Sequence, residues 1–123
     1  MRILLADHES NVRYGLRALL AERPEFEVVG EAADAEDLLA QIEADCPDLV
    51  LLSWGLPGLA GADLLPALRS VCDALYVIVL SGRPEARQAV LDAGANAFIS
   101  KVEPPERLLA AIASAEHAGR KGG

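Results

Sequence analysis

The sequence predicts a single α/β domain in which helices cover a parallel β-sheet. Two hydrophobic periodicities alternate along the chain: short continuous apolar runs, typical of strands buried on both faces, and stripes at helical spacing. Hydrophobic residues make up 52% of the chain but aromatic residues only 4%, so the core must consist of aliphatic side chains. A chain of 123 residues is long enough to bury one such core.

Five apolar runs are predicted to be strands. The clearest is residues 48–53, in which consecutive aliphatic side chains follow one another as expected of a strand with helices on both faces. Because a helical segment follows each run, the strands are expected to pair in parallel. The predicted strands are residues 2–6, 26–32, 48–53, 75–80 and 97–99.

Capping and breaking residues mark the predicted helices between these strands. Ser10 and Asp34 are the expected N-caps of the first two helices, and Pro66 is compatible with the third only in or next to its first turn. Gly94 is the expected C′ residue of the fourth helix, and two consecutive prolines open the fifth. We predict that this domain spans residues 1–118 and that residues 119–123 begin a linker or tail.

Charge and hydropathy restrict the partners of the domain. The net charge of −8 argues against direct contact with nucleic acid or with an anionic membrane surface, because both require clustered Lys and Arg. No apolar run approaches the roughly 20 residues that span a bilayer. The first residues turn acidic too early for a signal peptide, so a cytoplasmic location is expected.

The two cysteines are far apart in sequence and belong to no Cys/His cluster. We interpret Cys46 and Cys72 as reduced, small buried hydrophobic side chains in a reducing compartment, rather than as a disulfide or a metal site.

Polar residues collect where the predicted strands end. The carboxyl ends of parallel strands meet at one edge of the sheet, and that edge carries the functional crevice of open α/β folds. Acids, hydroxyls and a lysine from four different strands are therefore expected to form one small polar site. The residues at these ends are Asp7, His8, Glu9, Ser53, Ser81 and Lys101.

Four segments at these strand ends resemble the receiver domain of bacterial two-component response regulators. They are residues 2–7, 47–58, 79–82 and 94–101, which occur in the family's order and spacing. The resemblance covers essentially the whole chain. It implies a flavodoxin-like (βα)5 fold, that is, a doubly wound parallel sheet of strand order 2-1-3-4-5 in a three-layer sandwich.

The family's functional positions can be carried over one by one. In the family, two adjacent acids and an aspartate after the third strand bind Mg²⁺, and that aspartate accepts a phosphoryl group from a histidine kinase. Asp7 matches the first acid. Ser81 and Lys101 match the hydroxyl and the lysine that contact the phosphoryl oxygens, and Phe98 matches the aromatic switch residue of the fifth strand.

Two positions depart from the family pattern. His8 stands in place of the second acid, and Ser53 stands in place of the phosphoacceptor. Mg²⁺ sites depend on carboxylates, and phosphoryl transfer depends on neutralising phosphate charge. Ser53 is also a poor nucleophile without an activating base. We therefore expect weak or absent Mg²⁺ binding, no cofactor, and no conventional phosphorylation.

Several residues have two interpretations. His8 either ligates a transition metal with Asp7 and Glu9 or is solvated; neighbouring residues seldom aim at one point, which favours solvation and no metal site. Lys101 is expected to pair with Asp7. Ser81 either contacts a ligand or bonds local backbone. An adjacent tryptophan, Trp54, either anchors a partner or packs over its own loop.

The leading functional hypothesis is a non-enzymatic receiver domain that acts through protein–protein contact. No nucleophile elbow accompanies Ser53, which argues against a hydrolase. We expect a homodimer through the last helix and its neighbours, and regulation of an output domain beyond Gly123, possibly one that binds DNA; the sequence does not define a histidine kinase partner. The alternatives are a small-ligand or metal sensor that uses the vacated acidic pocket, and a residual phosphoacceptor.

Overall fold

The structure is a computed structural model that describes the backbone of residues 1–122 and the side chains of residues 1–117. Its centre is a five-stranded sheet of order β2-β1-β3-β4-β5, in which every paired neighbour runs parallel. The predicted sheet and strand order are therefore confirmed. The strands are β1 (Arg2–Ala6), β2 (Glu27–Ala32), β3 (Leu49–Ser53), β4 (Tyr76–Ser81) and β5 (Ala97–Ser100).

Helices follow each strand, as the alternation predicted. The fourth predicted helix is split, because a 3-10 turn at Pro84–Ala86 precedes its α-helical part. The helices are α1 (Ser10–Leu20), α2 (Ala35–Ala44), α3 (Gly61–Val71), α4 (Arg87–Asp92) and α5 (Pro105–Gly122). Helix α5 thus runs past the expected linker start at residue 119, and Gly123 lies outside the described residues.

Alternating residues of each central strand enter two separate aliphatic layers. In β3, Val50 and Leu52 pack toward α2, α3 and α4, whereas Leu49 and Leu51 pack toward α1 and α5. All residues of β3 are buried, which explains why its first four residues form an uninterrupted aliphatic run before Ser53. This is the expected three-layer sandwich, and the buried polar side chains of the described residues, Asp7, Ser53, Ser81 and Ser100, all lie at the carboxyl ends of strands.

The helix ends show which capping signals were correct. Asp34 caps α2, since its Oδ1 accepts a hydrogen bond of 2.8 Å from the backbone N–H of Asp37. Gly94 follows α4 with a φ of 108°, as expected of a C′ residue. Two predictions were wrong: Ser10 is already helical behind an uncapped Glu9, and Pro66 lies inside α3, where buried leucines hold the helix together.

The prediction of two reduced cysteines is contradicted by the fold. Cys46 and Cys72 form a disulfide with a Cα–Cα distance of 6.2 Å. The exposed Cys46 follows α2, and the buried Cys72 ends α3. Because α2 and α3 pack side by side on one face of the sheet, residues 26 positions apart in sequence become neighbours.

Within the described part of the chain, no helix is long and apolar enough to cross a bilayer.

Candidate functional site

The ends of four strands bring the predicted polar residues together at the carboxyl edge of the sheet. Asp7 follows β1, and its backbone N–H continues the ladder by donating to Ala32 O at 3.0 Å. Ser53 ends the neighbouring β3, and Ser81 ends β4. Lys101 follows β5 and donates its backbone N–H to Ser81 O at 2.8 Å. The sheet register therefore positions all four residues.

An ion pair between Asp7 and Lys101 lies at the centre of the site. The Asp7 carboxyl group is buried, with 2% exposure, and its Oδ2 accepts a hydrogen bond from Lys101 Nζ at 3.0 Å. Its Oδ1 accepts from the backbone N–H of Glu9 at 2.9 Å. Lys101 Nζ also approaches Ser53 Oγ, at 3.4 Å. The expected pairing of Lys101 with Asp7 is confirmed, and both carboxylate oxygens are occupied.

His8 lies at the solvent side of this pair. Its side chain is 54% exposed, and Nδ1 lies 3.8 Å from Asp7 Oδ1. Contrary to the expectation for sequence neighbours, ligand atoms of Asp7, His8 and Glu9 lie within 4.8 Å of one another. This proximity follows from the tight turn between β1 and α1, in which Asp7 caps the Glu9 backbone.

The arrangement does not fit the Mg²⁺ ion of the receiver family. Mg²⁺ requires near-octahedral oxygen ligands, mainly carboxylates. Here the buried Asp7 is already bound to Lys101 and to the Glu9 backbone, position 8 offers an imidazole, and position 53 offers a neutral hydroxyl. A cation at this point would have to displace the ammonium group of Lys101.

Two arginines of α1 also hold the end of β1 in place. Arg13 Nη1 donates to the backbone oxygen of Asp7 at 2.6 Å, and its Nε donates to Glu31 Oε1 at 2.8 Å. Arg17 binds the other oxygen of Glu31. Hydrogen bonds from Arg17 and Arg13 hold the pKa of the Glu31 carboxyl below its ordinary value. This clamp joins α1 to β2 and so holds the Asp7 loop in place.

Ser81 and Phe98 are the two proposed switch residues. Ser81 Oγ accepts a hydrogen bond of 3.1 Å from the backbone N–H of Arg83, so the local-backbone interpretation of this hydroxyl is correct in this structure. Phe98 is buried with 4% exposure in the layer under α2, α3 and α4. The Arg87 guanidinium lies over its ring, 5.2 Å from the centroid.

Trp54 packs over its own loop rather than projecting freely. The side chain is half-buried against the aliphatic layer under α3. A Cβ atom at Gly61 would overlap the indole ring, so only glycine permits this approach. The packing interpretation of Trp54 is therefore correct in this structure, and Trp54 also lines a cleft.

That cleft is the open space above Ser53 and Ser81, with a volume of about 520 Å³. Sequence reasoning missed one of its residues, Arg83, which lies two positions after Ser81 in the loop after β4. The signal was available, since this arginine directly follows one of the strand-end segments. The cleft is lined by His8, Ser53, Trp54, Gly55, Leu80, Ser81, Gly82, Arg83 and Lys101.

Known proteins share both the fold and the order of these elements. The signal receiver domain of the putative response regulator NarL from Mycobacterium tuberculosis superposes with a TM-score of 0.84 at 30% identity, covering 94% of this chain and 95% of that chain. A CheY-like receiver domain protein from Methanospirillum hungatei superposes with a TM-score of 0.85 at 30% identity, covering 99% and 98%.

The curated relatives include a transcriptional activator and a response regulator. Transcriptional activator protein ExaE of Pseudomonas putida is 37% identical over 115 residues, which cover 91% of this chain and 53% of that protein. Nitrate/nitrite response regulator protein NarL of Escherichia coli K12 is 35% identical over 112 residues, which cover 89% and 52%. The chain spans about half the length of these relatives.

The family assignment follows from the match along the chain. The response regulator receiver domain family matches residues 3–113, from β1 into α5. The matched domain is a signalling domain and not an enzyme, as expected from the sequence. This chain belongs to the response regulator receiver domain family.

Proposed function

We propose that this domain transmits a signal through protein–protein contact without being phosphorylated at Ser53. The observation that carries this proposal is the closed ion pair of Asp7 and Lys101 beside a serine hydroxyl. The site neutralises its own charge, so neither a metal ion nor a phosphoryl group is needed to balance it. Lys101 Nζ is the hydrogen-bond partner of Ser53 Oγ, so this hydroxyl faces an ammonium group rather than a base.

We propose that the switch elements Ser81 and Phe98 rest in a single arrangement. Ser81 is held by the Arg83 backbone, and Phe98 is already buried. A two-state element without a ligand that favours one state rests where its own energies place it. We therefore expect one conformation and an output that is independent of a kinase.

Phosphodonor treatment tests this proposal directly. After incubation with acetyl phosphate and Mg²⁺, intact-mass measurement should show no added phosphate, because Ser53 lacks both the charge and the metal site that the reaction needs. A receiver domain that has the aspartate serves as the positive control in the same buffer. Stoichiometric labelling at Ser53 would refute the proposal.

The contact surface that we propose is α5 together with α1, joined to a second copy of the chain. An apolar groove of about 320 Å³ runs between these helices, with Leu16, Leu19 and Leu108 among its lining residues. The alanines of α5 do not all face outward, since Ala115 is buried and Ala111 is half-buried. The exposed pair is Ala110 and Ala113, which share one face of the helix.

A charged side chain on this face should disrupt the homodimer. Ala113→Glu is expected to weaken self-association at least about tenfold, because two symmetry-related carboxylates would be desolvated at close approach. Sedimentation velocity over a concentration series measures the effect. The matched control is Ala44→Glu, on the exposed end of α2 across the sheet. Equal behaviour of both variants, or a monomeric parent protein, would exclude this interface.

The regulated partner that we propose is an output domain beyond Gly123. The curated relatives that match are transcriptional regulators about twice as long as this chain. In such an arrangement the DNA-binding role belongs to the output domain, in keeping with the acidic charge of the receiver.

A second candidate function is a small-ligand sensor. The observation that favours it is the cleft of about 520 Å³ above Ser53 and Ser81, a volume typical of small-molecule sites.

A further inference from the structure

The disulfide between Cys46 and Cys72 lies at the edge of the sheet where the strands begin, opposite the polar strand-end site. Cys46 follows α2 and precedes β3, and Cys72 follows α3 and precedes β4. Cys46 is exposed, whereas Cys72 is 7% exposed and belongs to the aliphatic layer under α2, α3 and α4. Because thiol–disulfide exchange requires access to a sulfur atom, a reagent in solution meets Cys46 first.

The backbone beside Cys46 is anchored by bonds other than the disulfide. The Arg2 guanidinium donates to the Asp45 carboxylate and, from Nη1, to the backbone oxygen of Cys46 at 3.0 Å. The backbone N–H of Arg2 donates to Asp48 Oδ2 at 2.7 Å, and the Asp48 N–H donates to Arg2 O at 2.9 Å. These bonds join residues 45–48 to β1 and involve neither sulfur atom.

The segment after α3 has a second, separate anchor. Arg69 donates to the backbone oxygen of Leu75. Its Nη2 also donates to Gly94 O at 2.8 Å and to Asn96 Oδ1 at 2.6 Å. These three bonds hold the turn that carries Cys72 against the loop before β5, again without a contribution from sulfur.

The structure also contains a partner for Cys72 in its reduced form. Cys72 Sγ lies 4.0 Å from the backbone oxygen of Ile42, in the last turn of α2. The final carbonyl groups of a helix lack partners within the helix, so this oxygen can accept a hydrogen bond from a thiol. The surrounding aliphatic layer suits a cysteine thiol, which packs as a small hydrophobic group. Both the disulfide and the dithiol therefore fit the same fold.

We propose that Cys46 and Cys72 form a reversible redox switch that dithiol reductants open from the Cys46 side. A thiolate of the reductant attacks Cys46 Sγ, the S–S bond breaks, and Cys72 leaves as a thiolate that takes up a proton. The second thiolate of the reductant then breaks the mixed disulfide and releases Cys46, which takes up the second proton. The protein thus gains two electrons and two protons, and the reductant is oxidised to a disulfide.

The redox switch acts on two helix ends and leaves the sheet in place. Opening the bond removes the covalent tie between α2 and α3, whereas the anchors formed by Arg2 and Arg69 remain. Local opening therefore becomes easier at residues 42–48 and 69–75. In the reducing compartment that the sequence leads us to expect, a disulfide is usually transient or redox-sensing rather than permanent. The inference is independent of whether Ser53 is phosphorylated.

Equilibration of the native protein with mixtures of reduced and oxidised dithiothreitol tests reversibility. After free thiols are alkylated with N-ethylmaleimide, intact-mass measurement should show one transition from zero to two labels. The midpoint should be the same whether the oxidised or the reduced protein is the starting material, and circular dichroism of the reduced protein should remain native below its Tm. A bond that opens only in denaturant, or a reduced protein that does not form it again, would overturn the proposal.

Two single variants form a matched pair that tests the direction of attack. Cys72→Ala leaves the exposed Cys46 thiol, and Cys46→Ala leaves the buried Cys72 thiol. The Cys46 thiol should react with oxidised glutathione at least about tenfold faster, because the buried thiol reacts only after local opening. In the parent protein, brief treatment with reduced glutathione should give a mixed disulfide that peptide mapping locates on Cys46. Equal rates in the two folded variants, or a parent adduct on Cys72, would contradict opening from the Cys46 side.

Backbone amide NMR spectra of the oxidised and reduced protein locate the structural change. Chemical shifts should differ at residues 42–48 and 69–75 and stay the same at Asp7, Ser53 and Ser81, because the anchors keep the sheet in place. Shift changes throughout the sheet would exclude a local switch. This result bears on the redox switch alone, since the acetyl phosphate test of the proposed function concerns the opposite edge of the sheet.

Discussion

Replacing His8 and Ser53 together with aspartate is expected to create a Mg²⁺ site and a response to beryllofluoride. The two positions flank the buried Asp7, so the substitutions would place three carboxylates at one point of the sheet edge. Mg²⁺ affinity should rise about 100-fold over the parent protein, since each added carboxylate contributes roughly 1.5 kcal/mol as a charged ligand. Trp54 fluorescence and isothermal titration both measure this change.

The same double variant tests whether the switch elements still work. A beryllofluoride adduct at position 53 would present oxyanion-like fluorines to Ser81 and Lys101. We expect Ser81 to leave its bond with the Arg83 backbone, and self-association to become dependent on beryllofluoride. The single Ser53→Asp variant is the matched control and should respond much less, because His8 still occupies the metal position. A double variant that binds neither Mg²⁺ nor beryllofluoride would show that the pocket differs in more than two side chains.

Opening the disulfide between Cys46 and Cys72 is the second large expected effect. The bond closes a loop with a sequence separation of 26, and it ties the end of α3 to the segment after α2. Cross-linking such a loop restricts the unfolded chain and contributes about 3 kcal/mol in the loop-entropy treatment. Reduction with a phosphine should therefore lower Tm by roughly 10 °C for a domain of this size. Thermal unfolding followed by circular dichroism, with and without reductant, measures the difference.

A variant without the bond provides the control for this measurement. Cys46→Ser with Cys72→Ala should unfold near the Tm of the reduced parent protein, and reductant should not change it further. Alanine is chosen at position 72 because this side chain is buried, and a serine there would add an unsatisfied hydroxyl. A parent protein whose Tm is the same in both buffers would contradict a stabilising role for the disulfide.

The strand-end residues show how much of the site was predictable from sequence. Asp7, Ser53, Ser81 and Lys101 were expected to meet because the carboxyl ends of parallel strands share an edge, and the register brings them there. Arg83 was missed although it directly follows the strand-end segment 79–82, because the direction of a loop side chain has no periodicity from which to predict it. The proximity of His8 and Glu9 to the Asp7 carboxylate also depended on a local turn that the sequence does not specify.

The α/β class, the number of strands, the aliphatic core and the serine at the end of β3 were all predictable from the sequence alone. These features follow from local periodicity and from the identity of single residues, and both are visible in the amino-acid sequence. The three-dimensional structure was needed to show that Cys46 meets Cys72, that Pro66 remains inside a helix, and that a cleft of about 520 Å³ lies above Ser53 and Ser81. Each of these three features depends on contacts between segments that are distant in sequence. The energies of such contacts cannot be predicted from a local sequence pattern.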